Sequence, residues 1–297
     1  MNKDPLPDDQ WISPGGFDRR AVIRGGAYAA GFALACQPIS AATIATPGEG
    51  LVQEQTALRA ADGFSLPLFV ARPAGKGPAP VIVVVHEIFG VHEWVKDICR
   101  RFAKAGYYAV APDLFARAGD ATRIADMKQL TTTIVAPTPD IQVLADIDAV
   151  YAWAGAHGGD GRYRGITGFC WGGRIVWLYA AHAQSLDAGV AFYGRIDSAP
   201  TILQPQSQLG SVALLNAPVL GQYGGTDKGI PVADVDAMRA RLREAAKAPP
   251  SAITVYPKAG HGFMADYRPS YDEEAATAAW TTTIDWFDRY VKPKSAA

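Results

Sequence analysis

Cysteine is scarce in this chain. Cys36, Cys99 and Cys170 are the three among 297 residues. An odd number at wide spacing makes no disulfide framework, and there is no CxxC pair to hold zinc. Long blocks of one charge are also missing. A formal net charge of −1 removes the electrostatic footprint that nucleic-acid binding needs and offers an anionic membrane nothing to attract. Beyond the N-terminal region no apolar run is long enough to span a bilayer. There is no internal repeat and no low-complexity tract. What remains is 49% apolar and 19% charged, the balance of a soluble globular protein, and long enough for one large domain or two small ones.

The first fifty residues read as a tail with an export signal rather than as fold. A polar opening leads to Arg19-Arg20, and the uncharged run Gly25 to Ala35 follows Arg24. Ala42 and Ala45 then offer small-residue cleavage points. The paired arginines point to the twin-arginine route and a periplasmic mature protein. Cys36 is expected to leave with the leader. No stable membrane insertion is expected once it is removed.

From residue 51 to 297 the chain reads as one domain. "VIVVV", residues 81 to 85, lacks polar alternation, as a strand buried on both faces of a parallel sheet does. A helix from about Trp94 to Ala105 follows, stopped by Gly106. Strand and helix patterns then alternate: "YYAVAP", "DIQVLADIDAVYAWAGAH", "YRGITGF", "RIVWLYAAHAQ", "GVAFYG", "APVLGQYGG", "DVDAMRARLREAAKA", "AITVYP" and a long final helix. This order predicts right-handed crossovers and an α/β fold, a mostly parallel sheet with helices on both faces. In such sheets chemistry sits at the carboxyl ends of the strands.

The residues after the strands are informative for that reason. They include His86 and Glu87, Asp113, Cys170, Arg195, Asp227 and His261. "GFCWG", residues 168 to 172, has the form G-x-nucleophile-x-G. There a strand turns sharply into a helix and lifts the middle residue above the sheet in strained backbone. The next N–H, that of Trp171, lies where an oxyanion would form, and the helix N-terminus favours a thiolate. The chain order of thiol, acid and histidine is that of the α/β-hydrolase fold. Asp227 is the expected acid, because it ends the strand after the nucleophile helix and its neighbour strand. Asp113 reads as a loop cap.

On the segments "HEIFGVHEWVKDICRRFAKAGYYAVAPDLFAR", "GFCWGG", "GGTD" and "AGHGF", residues 51 to 291 resemble the dienelactone hydrolases. The resemblance implies a single-domain α/β-hydrolase fold and a Cys170–His261–Asp227 triad. It implies that Glu87 governs the resting thiol, and that the N–H groups of Trp171 and Ile88 form the oxyanion hole. It also places Arg117, in "DLFAR", at a substrate carboxylate. One departure is visible. The family's second substrate arginine, shortly after the histidine, is Ala265 here, which leaves Arg195 or Arg268 to substitute. Tyr193 and Phe89 complete the expected substrate side.

The expected function is hydrolysis of a small-molecule ester or lactone through a cysteine, by a monomer needing no cofactor. The alternative is a non-catalytic binding protein, or a member of the fold with another substrate. A metal site is not expected. His86 and His92 flank Glu87 as H-E-x-x-x-x-H, which is not the zinc spacing H-E-x-x-H and does not lie on a helix. Cys99, Trp153, Trp177 and Trp286 sit at helical core spacing, while His157 and His182 read as structural.

Overall fold

Val81, Ile82, Val83, Val84 and Val85 are all fully buried, because strand β3 (Ala79–Val85) runs between two parallel neighbours. Burying one such side chain stabilises the fold by about 1.5–3 kcal/mol. The computed structural model describes residues 45–75, 77–245 and 249–292. The expected leader, through residue 44, lies outside the described residues.

β3 is one of eight strands in a single sheet. In chain order the others are β1 (Leu51–Arg59), β2 (Ser65–Pro73), β4 (Tyr108–Pro112), β5 (Gly159–Phe169), β6 (Ala188–Phe192), β7 (Val219–Gly224) and β8 (Ala252–Tyr256). Across the sheet they stand in the order β1-β2-β4-β3-β5-β6-β7-β8. From β4 to β8 every pairing is parallel, as the alternation of elements requires. The β1–β2 hairpin is antiparallel, and so is β2 against β4. Strand β1 was not legible as a strand: "LVQEQTALR" is mostly polar because it is the sheet's edge and largely exposed. The hairpin turns at Asp62, whose Oδ1 accepts the Phe64 N–H at 3.0 Å.

The helices are α1 (Glu93–Lys104), α2 (Met127–Leu130), α3 (Asp140–Ala156), α4 (Trp171–His182), α5 (Gln208–Ser211), α6 (Val232–Glu244) and α7 (Glu273–Tyr290). Helix α1 buries Trp94, Val95, Ile98, Cys99 and Phe102. It stops where Gly106 takes φ 95° and the N–H groups of Gly106 and Tyr107 return to Ala103 and Phe102. Only glycine takes that backbone conformation without strain. Phe102 meets Trp280 of α7, ring centroids 4.8 Å apart, so α1 and α7 share one face of the sheet. Helices α3 and α4 pack on β3, β5 and β6 from the other face. A five-residue π-helical turn, Thr131–Val135, continues α2. No helix among the described residues is long and apolar enough to cross a membrane.

Candidate active site

Cys170 stands between the end of β5 and the start of α4 at φ 55° and ψ −112°. Among the described residues it is one of two non-glycine residues with positive φ, the other being Tyr193. Such backbone costs about 1–3 kcal/mol and persists only where its surroundings hold it. Here the Cys170 N–H donates to the Phe192 carbonyl at 3.0 Å. Gly172 lets the helix start lie directly against β3: a Cβ there would sit 2.6 Å from the His86 carbonyl oxygen and press on that of Val85. The thiol side of the turn opens onto a cavity of about 380 Å³. Trp171 and Ile88, whose N–H groups were expected to form the oxyanion hole, line the same cavity.

His261 follows β8 and is 4% exposed. Its Nδ1 lies 2.7 Å from Asp227 Oδ2. The other Asp227 oxygen accepts the N–H groups of Gly229 (2.7 Å) and Ile230 (3.1 Å), which fixes the carboxylate plane. Tyr193 packs its ring on His261, centroids 5.1 Å apart. Burial pushes its phenol well above the usual range, and the charges of Glu87 and Cys170 add to the rise. Tyr193 thus lies beside the histidine. Asp113 serves the loop, as read: its Oδ1 accepts the Phe115 N–H at 3.2 Å.

Glu87 is fully buried after β3. Arg268 Nη2 donates to its Oε2 at 2.9 Å, and the Tyr267 hydroxyl donates to the same oxygen at 2.5 Å. Arg268, three residues beyond the alanine at 265, therefore reaches Glu87 rather than standing at the cavity. Phe89 lies under its guanidinium, 5.1 Å from ring centroid to Cζ, and is not among the cavity-lining residues. His92 Nε2 is 3.9 Å from Glu87 Oε2. Burial pulls the His92 imidazole down to about 4, with Glu87 opposing. Burial also lowers His86, whose Nδ1 meets the Glu87 carbonyl at 2.6 Å and whose Nε2 accepts the Leu114 N–H at 3.1 Å.

Arg117, expected at a substrate carboxylate, is not among the cavity-lining residues. Its guanidinium forks between Asp62 (2.8 and 3.0 Å) and Asp146 (2.6 and 3.1 Å), and covers Phe64. The hydrogen bond from Arg117 holds the exposed Asp62 at about 2, from 3.8. Of the other expected residues, Arg195 does line the cavity, with its Nε donating to the Asp197 carbonyl at 3.0 Å.

The far wall of the cavity was missed. It consists of Met127, Lys128, Thr131, Thr132, Val135 and Ala136, from α2 and the π-helical turn. π turns recur at functional sites. Thr131 and Thr132 donate their hydroxyls back to the Met127 and Lys128 carbonyls, both at 2.8 Å. Gln204 also lines the cavity and ties the 195–204 loop to this wall, with Nε2 donating to the Val135 carbonyl at 3.1 Å. Arg174 lines it too, matched by Asp140 at 2.6 and 2.7 Å. Short apolar stretches broken by threonines gave no periodicity from which this wall could have been read. Among the described residues no cluster of three His, Cys, Asp or Glu side chains could hold a metal ion.

Comparison with known proteins agrees with this architecture. The family model described as "Dienelactone hydrolase family" matches residues 66–291. A relative from Methylorubrum extorquens, named "Putative carboxymethylenebutenolidase", is 50% identical over 274 residues, 92% of this chain and 93% of that protein. A protein of the same name from Escherichia coli K12 is 48% identical over 89% of this chain and 97% of its own. The crystal structure of a Klebsiella pneumoniae protein, called "Putative Dienelactone Hydrolase", superposes with a TM-score of 0.78 at 46% identity. It covers 81% of this chain and 99% of that one.

Proposed function

We propose, for a chain that belongs to the dienelactone hydrolase family, hydrolysis of a small ester or lactone with Cys170 as nucleophile. The observation that carries this reading is the strained Cys170 turn opening onto the cavity, with His261 and Asp227 paired at the ends of other strands of the same parallel sheet. A structural cysteine needs neither the strain nor the pair.

The chemistry runs in two halves. The Cys170 S–H bond breaks, its electrons stay on sulfur, and the proton passes to the Glu87 carboxylate. The thiolate adds to the substrate carbonyl, and the N–H groups of Trp171 and Ile88 take the negative charge that develops on oxygen. The alkoxide leaves with the proton that Glu87 took, so a thioester remains and Glu87 is again a carboxylate. His261 then removes a proton from water, the hydroxide adds to the thioester, and the thiolate departs and takes that proton back from His261. Asp227 holds the imidazole in its working tautomer throughout.

An anionic group on the substrate would meet Lys128 and Arg195, the cavity's cations besides the Asp140-bound Arg174. The relatives' name, carboxymethylenebutenolidase, fits a lactone bearing such a group. The reading extends to place: Arg19-Arg20 and the uncharged run after Arg24 support export to the periplasm.

Cys170→Ala tests the chemistry. Turnover across an ester and lactone panel should fall by several orders of magnitude with the fold intact. Wild-type turnover by this variant would show that the thiol is not the nucleophile. For export, changing Arg19 and Arg20 to lysine should trap the full-length chain in the cytoplasm, and unchanged fractionation would end that part of the reading.

A further inference from the structure

Glu87 is hydrogen-bonded through one carboxylate oxygen only. Its Oε2 takes two donors, the Tyr267 hydroxyl at 2.5 Å and Arg268 Nη2 at 2.9 Å, while Oε1 is buried with no hydrogen-bond partner among the described residues. The Tyr267 hydroxyl in turn accepts from Arg268 Nε at 3.0 Å, so its single proton is committed to Glu87. Burial and the Glu87 charge push the Tyr267 phenol far up, which keeps it a neutral donor.

The phenol is also tethered from outside the site. Its chain neighbour Asp266, 1% exposed at the side chain, pairs with Arg101 Nη2 at 2.5 Å. Arg101 Nε is held by Asp97 at 2.7 Å, on the same helix α1. Turns closed by Ala265 N–H on Gly262 and by Arg268 N–H on Ala265 place Tyr267 and Arg268 on the segment that starts at His261. One short stretch of chain therefore carries the histidine on one side and the donors to Glu87 on the other.

We propose that Tyr267 is the positioning residue that sets the proton affinity of Glu87, with the Asp266–Arg101 ion pair holding it in place. The proposal rests on the reading that Glu87 exchanges a proton with Cys170. Two donors on Oε2 favour the carboxylate form and turn Oε1 into the oxygen that receives the thiol proton. The titratable and charged groups around Glu87 are His86, His92, Tyr193, Cys170, Tyr267 and Arg268, with Asp113 behind His86 and Glu93 behind His92.

The test is the pH dependence of Cys170 alkylation by iodoacetamide, a neutral probe, in the full chain. On the reading that Glu87 takes the thiol proton, the two groups share their protons, and the acid limb reports the first of them. Tyr267→Phe removes one charge-assisted donor. The acid limb should then move up by about one pH unit, a roughly tenfold rise in proton affinity. Glu87→Gln should abolish that limb. Asp266→Asn keeps the phenol but loosens its tether, and should move the limb the same way by less. It also serves if Tyr267→Phe fails to fold. A purely structural Tyr267 would lower reactivity at every pH without moving the midpoint. An unmoved midpoint in Tyr267→Phe, or in Asp266→Asn if that alone folds, overturns the proposal. So does a limb that survives Glu87→Gln unchanged. Failure of the nucleophile reading looks different: Cys170→Ala would keep its ester turnover.

Discussion

Asp227 holds His261 through one carboxylate oxygen, at 2.7 Å from Nδ1, while its other oxygen accepts two backbone N–H groups of its own turn. Both oxygens are thus assigned, and an amide cannot copy the arrangement. In Asp227→Asn the NH₂ group must face either His261 or the turn's N–H donors. Facing His261, it would donate to Nδ1 and favour the wrong tautomer. Ester turnover should drop by about 10³–10⁴-fold, the scale seen when such an acid becomes an amide. Steady-state kinetics with a thermal melt check this. A tenfold loss or less would show that Asp227 does not orient the imidazole.

The elbow makes a stability prediction that is independent of catalysis. Gly172→Ala would push a methyl into the carbonyl oxygens of Val85 and His86, neither of which can move without breaking β3. The expected loss is about 3 kcal/mol, with Cys170 displaced and turnover lost together. Urea unfolding of the variant measures it. A stability change below about 1 kcal/mol would mean that the strand and helix are less tightly apposed than described.

Arg117 should behave as a structural residue. Arg117→Ala leaves the buried Asp146 without its partner, at a pair whose arginine is itself partly exposed. The expected cost is about 1–3 kcal/mol, below that of breaking a fully buried pair. KM should change equally little for an anionic and a neutral ester of matched size. A selective rise in KM for the anionic ester would return Arg117 to the substrate side.

His92 makes stability depend on pH. In the folded protein burial lowers its pKa from 6.5 to about 4. Between these values the unfolded chain binds more protons than the native state, so stability rises with pH across this window. Acidifying from above 6.5 to below 4 should cost up to about 3 kcal/mol through this one group. His86, lowered in the same direction, adds to the slope. His92→Asn should flatten the dependence by close to one proton. Denaturant unfolding at pH 7 and pH 5 reads this directly, and parallel slopes for the two proteins would contradict a neutral buried His92.

Several parts of the molecule were decided by the sequence itself. The unbroken β-branched run of β3, the alternation of strands and helices, and the short G-x-C-x-G turn are local patterns. Their geometry follows from neighbours within a few residues, so they announce the parallel sheet and the place of Cys170 on the strand-to-helix turn before any folding. The order of Cys170, Asp227 and His261 could be read because each follows a strand, and parallel strands deliver their carboxyl ends to one edge. The tertiary structure decided the charges. Arg117 had to choose among ligands that the linear chain does not rank, and the fold brings Asp62 and Asp146 from 55 and 29 residues away. Arg268 reaches Glu87 across 181 residues, through a turn whose reach no spacing rule foretells. The cavity wall from Met127 to Ala136 belongs to the same class. Its function lies in what it faces across the sheet edge, and facing is a property of packing rather than of sequence order.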